Sequence, residues 1–218
     1  MDAGERIPRL LLIADRFTRP EVATRVVEAA RAGVPWIQLR DHDADVDEFE
    51  RAADHMLGEL EALPSPPLVS VNSAVSFADN RGIAFHTGSH GPSVADAVRC
   101  LGRGAVIGFS AHSADDAEHA RRQGAAYVTF SPVYPTPSKP GHPGRSLVDL
   151  ESVVTVASPI PVLALGGVTP GLVRACLDAG AHGVAVIRGI LDADDIARAV
   201  RVYSDYLLRG PSTAVDAL

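Results

Sequence analysis

The 218-residue sequence predicts one α/β domain, a single (β/α)8 TIM barrel, and three observations carry that expectation. Short aliphatic or β-branched runs recur eight times with helical stretches between them, the alternation of βα units around a parallel sheet. Most of these runs are continuously apolar, as strands covered on both faces must be. The competing architecture, a doubly wound sheet, lacks its G-x-G-x-x-G turn, because the first run passes straight into Asp15-Arg16-Phe17.

The first four strands read as LLLIAD ending at Asp15, WIQLR at Arg40, PLVSVN at Asn72 and IAFHTG at Gly88. The second four read as AVIGFS ending at Ser110, YVTFSPV at Val133, PVLALGG at Gly167 and GVAVIRG at Gly189. Between them Pro20 marks a helix start, and Ala32-Gly33, Gln123-Gly124 and Ala179-Gly180 mark three helix ends before strands. Ser113 with Asp115 and Asp116 gives the fifth helix a cap and an acidic first turn. Residues 134–146 are too rich in proline and glycine for a regular element, and long loops in compact domains are often functional. The barrel is expected over residues 1–210, with 211–218 a frayed tail.

With 46% hydrophobic and 22% charged residues the chain can build a sizeable core, which excludes a disordered or fibrous class. A net charge of −7 gives no general attraction for nucleic acid or an anionic membrane, so any anion must be held by a local site. Cys100 and Cys176 lie in apolar helical stretches without metal-binding spacing and read as inert buried thiols. The charged amino terminus shows no signal-peptide pattern, and no apolar stretch has membrane length, so a cytoplasmic enzyme is the expectation.

Barrel chemistry collects where strands end, which selects Arg40, Asn72, His86, Ser110, His112, the 135–139 loop, Gly166-Gly167 and Arg188. Gly166-Gly167 precedes the helix start Thr169-Pro170, and Arg188-Gly189 closes the eighth strand, so backbone N–H groups can converge there on a phosphate. Thr136, Ser138 and Lys139 stand at the tip of a proline-stiffened loop, facing a ligand or solvent. Arg188 contacts an anion or pairs with Asp192 or Asp194; Arg40 reaches the barrel mouth or pairs with Asp41 or Asp43. His86 and His112 each read as a satisfied core histidine or as a general acid/base. Asn72 reads as an amide ligand or a strand-end turn, and His90, His119 and His142 read as loop or helix-surface residues.

Several of these segments together resemble one family, the thiamine phosphate synthase and thiazole tautomerase (TenI-type) barrels. The resemblance rests on QLR at Gln38 to Arg40, Asn72, His86-x-Gly88, GFSAHS from Gly108, SPVYPTPSKPG from Ser131, LALGGVTP from Leu163 and AGAHGVAVIRGI from Ala179. It implies that Thr136, Ser138, Gly167, Ile187 and Arg188 hold a thiazole phosphate, with Arg188 where the family usually has serine. It also implies that Gln38, Arg40, Asn72, Ser110 and Lys139 stand where the synthase holds a pyrimidine and its pyrophosphate. Related barrels often form homo-oligomers, which leaves self-association open.

The sequence departs from the synthase pattern at Ser73 and Gly91, where two magnesium-binding aspartates are expected, and at His42, where a lysine is. The HTGSHGPS stretch is closer to the tautomerase branch, whose catalytic histidine is replaced here by Pro132. The resulting expectation is a metal-independent thiazole tautomerase-like isomerase with His86 and His112 as acid and base. It needs no cofactor; Mg²⁺ enters only with the alternative, a synthase joining hydroxymethylpyrimidine diphosphate to thiazole phosphate. A non-catalytic barrel that binds a phosphorylated heterocycle is the third possibility.

Overall fold

The computed structural model describes residues 7–208. Its strands are β1 (Leu10–Asp15), β2 (Trp36–Arg40), β3 (Leu68–Asn72), β4 (Ala84–Thr87), β5 (Ile107–Ala111), β6 (Tyr127–Phe130), β7 (Val162–Leu165) and β8 (Gly183–Val186). They pair in parallel and in sequence order, and β1 pairs with β8 to close the barrel. The helices that follow them are α1 (Pro20–Arg31), α2 (Val46–Glu61), α3 (Val75–Arg81), α4 (Val94–Leu101), α5 (Ala114–Gln123), α6 (Leu147–Ala157) and α7 (Pro170–Asp178). A short α8 (Arg188–Leu191) and the longer α9 (Ile196–Leu208) complete the ring. The expected tail at 211–218 lies outside the described residues, as does the start of the expected barrel range.

Local chemistry places these ends. Pro20 sits in the first turn of α1, and Ser113 accepts a hydrogen bond from Asp116 N as the N-cap of α5. Gly33, Gly124 and Gly180 have φ of 96°, 99° and 86°, the left-handed conformation that lets each chain leave its helix for the next strand. Four strands stop earlier than the sequence predicted, β4 by the single residue Gly88. β6 ends before Ser131-Pro132, where proline has no N–H for the ladder, and β7 ends where Gly166 and Gly167 turn to φ of 92° and 65°. β8 ends because Arg188 and Gly189 already belong to α8. Cys176 is buried as expected, whereas Cys100, near the end of α4, is exposed.

Strand alternation divides the apolar residues into two layers. One set, including Leu12, Leu39, Val71, Val128 and Val184, faces the helices. The other, Leu11, Ile13, Trp36, Tyr127, Leu163 and Ala185, fills the barrel interior. The Trp36 and Tyr127 rings meet edge to face at 4.6 Å, and Gly108 supplies the space beside them: a Cβ there would overlap the Tyr127 ring. Gly108→Ala is therefore expected to destabilise the barrel by about 1–3 kcal/mol, the usual cost of overpacking a core, measured by urea unfolding.

Candidate active site

The interior set changes character toward the carboxyl ends of the strands. Trp36 gives way to Gln38 and Arg40 on β2, Ser70 to Asn72 on β3, and Gly108 to Ser110 and His112 after it on β5, each step of two residues staying on the inner face. These side chains open into a cavity of about 720 Å³ at the barrel mouth. Every candidate named from the sequence lines it: Gln38, Arg40 and Asn72; His86, Ser110 and His112; Thr136, Ser138 and Lys139; Gly166, Gly167, Ile187 and Arg188. His42 and His90 line it as well; His90 is, as expected, an exposed residue of the loop between β4 and α4.

On the β7–β8 side the cavity wall is a hydroxyl and backbone cradle. The loop after β6 is laid over the end of β7 by Val133 N donating to Leu165 O (2.9 Å) and Tyr134 N donating to Gly166 O (3.0 Å). That close approach needs glycine: a Cβ at Gly166 would stand 2.7 Å from Pro132, and one at Gly167 2.5 Å from Pro135 O. The loop then turns back through Lys139 N to Thr136 O (3.0 Å) and presents Thr136 and Ser138 to Arg188, which donates to their hydroxyls at 3.4 and 3.2 Å. Arg188 thus points at the cradle. Beneath it, Tyr203 of α9 donates its hydroxyl to Val168 O at 2.9 Å, a buttress that no local sequence pattern announces.

On the β2–β6 side the wall is cationic. Arg40 pairs with Asp15 at 2.5 Å instead of Asp41 or Asp43, and its Nε donates to His42 at 3.0 Å. Asp43 is engaged by Arg16 at 3.2 Å, and Asp41 accepts from the Thr18 hydroxyl at 2.6 Å. His112 donates Nδ1–H to Ser131 O at 2.8 Å, which leaves Nε2 unprotonated and 3.5 Å from Lys139 Nζ. Burial, and then the fields of Arg145 and Arg40, lower the Lys139 pKa. Burial also lowers the pKa values of His112 and His42, with nearby cations adding to the effect. On the floor, Gln38 is 1% exposed, and its Oε1 has no hydrogen-bond partner within the protein. A buried acceptor in that state favours a ligand that carries a donor.

His86 is 1% exposed and sits inside a hydrogen-bonded chain. Trp36 Nε1 donates to Ser70 Oγ at 3.1 Å, and Ser70 also bonds the Tyr127 hydroxyl. The Tyr127 hydroxyl lies 2.9 Å from His86 Nδ1, and Ser110 Oγ lies 2.8 Å from His86 Nε2. In the tautomer with the hydrogen on Nε2, Tyr127 donates to Nδ1 and Nε2–H donates to Ser110, which leaves the Ser110 proton for the cavity. Burial, with Arg40 adding to it, pushes the His86 pKa down to about 3 and keeps the ring neutral. That environment suits a group that orients Ser110 better than one that takes up protons near neutrality.

Three comparisons place this chain among known proteins. The family model TMP-TENI, thiamine monophosphate synthase, matches residues 10–190. The thiamine-phosphate synthase of Deinococcus radiodurans is 34% identical over 194 residues, covering 86% of this chain and 68% of that protein. The thiamine-phosphate synthase of Methanocella arvoryzae is 33% identical, covering 89% and 92% respectively. Among solved structures, a thiamine phosphate pyrophosphorylase from Pyrococcus furiosus superposes with a TM-score of 0.80 at 26% identity, covering 92% of this chain and 96% of that one. These relatives carry the synthase name, and that corrects the expectation of a thiazole tautomerase with His86 and His112 as its acid and base.

Proposed function

The chain belongs to the TMP-TENI family of thiamine monophosphate synthases, and from that premise we propose that it is a transferase joining hydroxymethylpyrimidine diphosphate to thiazole phosphate. The observation that carries the reading is that one cavity holds two sets of anion-binding groups. A phosphate-sized cradle of Thr136, Ser138, Gly167 and Arg188 shares the lining with the cations Arg40, at the end of β2, and Lys139, which follows Ser138 on the same loop. A single phosphate monoester engages one such set, whereas a coupling enzyme must hold two anionic partners with their reacting ends together.

The reaction breaks the C–O bond between the pyrimidine's methylene and the diphosphate and forms a C–N bond to the thiazole nitrogen; pyrophosphate leaves with the electron pair. On this reading the cradle orients the thiazole through its phosphate, and Gln38 and Asn72 hold the pyrimidine ring. Arg40, Lys139 and the directed Ser110 hydroxyl face the departing oxygens, where charge grows as the bond breaks. The apolar residues Ile13, Leu165 and Ala185 at the cavity base exclude water from the reacting carbon.

Magnesium is the ion expected to accompany such a synthase, and the residues present do not fit it. The one carboxylate among the described cavity-lining residues is Asp192, which follows α8 on the cradle side with Arg188. No group of three or more His, Cys, Asp or Glu side chains converges as a metal site among the described residues. Mg²⁺ demands an octahedron of hard oxygens and is normally held through one or two protein carboxylates.

The test of the reading is direct. Supplied with both substrates, the chain is expected to release pyrophosphate and form thiamin phosphate in equal amounts, followed by coupled phosphate detection and mass spectrometry. Absence of the coupled product in buffers with and without Mg²⁺ would sink it.

A further inference from the structure

We propose that the pyrophosphate half of this cavity is a metal-free site, in which the side chains of Arg40 and Lys139 take the place of a divalent ion; the inference rests on the transferase reading. It starts from the two positions where carboxylates are missing, because both are committed to other structure. At Gly91 a Cβ would overlap Thr87 Oγ1, and that hydroxyl is held by its bond to Pro92 O at 2.9 Å. The loop between β4 and α4 is thus folded on itself, with no room for a side chain at residue 91. Ser73 has φ of 65°, and its hydroxyl donates to Asn72 Oδ1 at 2.8 Å. The Ser73 hydroxyl is thus engaged by the Asn72 amide oxygen, and neither side chain brings the negative charge that a divalent cation needs.

The cationic wall shows the complementary feature. Lys139 and Arg40 contact the imidazoles His112 and His42. The single carboxylate on Arg40 is Asp15, one third exposed and outside the cavity lining. With Arg145 close enough to depress Lys139 as well, the wall holds more positive charge than the protein compensates. An anion of several charges relieves that repulsion, and a divalent cation would add to it. In the reaction, the C–O electron pair departs on pyrophosphate; Lys139 and Arg40 neutralise the oxygens and the Ser110 hydroxyl donates to them. The balance needs no co-reactant.

Inorganic pyrophosphate titrated into the full chain by calorimetry tests the site without catalysis. Binding in EDTA is expected to be as tight as in excess Mg²⁺, within about threefold, and Lys139→Met is expected to weaken it at least about tenfold in EDTA, as loss of a charge-assisted hydrogen bond does. Binding weaker in EDTA by more than that margin, no binding in either buffer, or an unaffected Lys139→Met variant each overturns the proposal. Ser73→Asp is a second probe: a carboxylate placed in an anion site should weaken binding in EDTA, and unchanged binding counts against the site. Metal-independent binding without coupled product would leave the site standing and remove the transferase reading instead.

Discussion

Gly167→Val is expected to weaken thiazole phosphate binding about a hundredfold while the barrel stays folded. Residue 167 has φ of 65°, where a β-branched side chain is strained, and its Cβ would meet Pro135 O at 2.5 Å and Tyr134 Cβ at 2.8 Å. Something must give, and the two candidates differ in rigidity. Gly167 follows β7, which is paired on both sides within the closed barrel. The 134–138 segment is a surface loop tied down mainly by Val133 and Tyr134. The loop moves, and with it go Thr136 and Ser138, whose hydroxyls Arg188 holds in the proposed phosphate cradle. Displacement by about 1 Å is enough to break hydrogen bonds whose useful range is a few tenths of an ångström. Calorimetry with thiazole phosphate gives the affinity, and a thermal melt within a few degrees of the parent shows the barrel intact. Unchanged affinity would move the phosphate site elsewhere.

The barrel and the cavity lining were legible in the sequence for the same reason. Strands covered on both faces must be continuously apolar, so LLLIA or LVSV announces itself, and the polar residue that ends such a run is carried to the mouth by the geometry of the fold. Arg40, Asn72, Ser110 and Arg188 were found that way, and Gln38 through the family resemblance. What stayed hidden depends on closure. Asp15 and Arg40 are 25 residues apart and meet because β1 and β2 pair in the register that sets them side by side. Asp41 and Asp43, closer in sequence, are turned to Thr18 and Arg16. Tyr127 reads as an ordinary strand residue until Gly108 on the adjacent strand is seen to receive its ring. The departures at Ser73 and Gly91 were legible in the sequence, whereas the reaction was not: the relatives carry the synthase name, and neither of those two positions announces it.

His86 is the residue whose assignment changes most, and a pH experiment separates the two readings. In the unfolded chain its imidazole titrates near the ordinary value of 6.5; in the folded chain burial holds the pKa down to about 3. Below pH 6.5 the unfolded chain therefore takes up a proton that the folded chain refuses. The stability this residue contributes is present above pH 6.5 and is lost as the pH falls toward 3, at about 1.4 kcal/mol per pH unit. Between about pH 7.5 and 5 the loss amounts to about 2 kcal/mol. His86→Gln keeps a polar group between Tyr127 and Ser110 and removes the titration. Urea unfolding at the two pH values is expected to show the parent losing about 2 kcal/mol more than the variant, because His42 and His112 contribute equally to both. Equal losses would mean that the folded protein protonates His86 readily, which returns it to the list of acid/base groups. The expected result leaves it as a neutral relay instead: it fixes the direction of the Ser110 hydroxyl, so its loss should lower turnover without moving the pH profile of activity near neutrality.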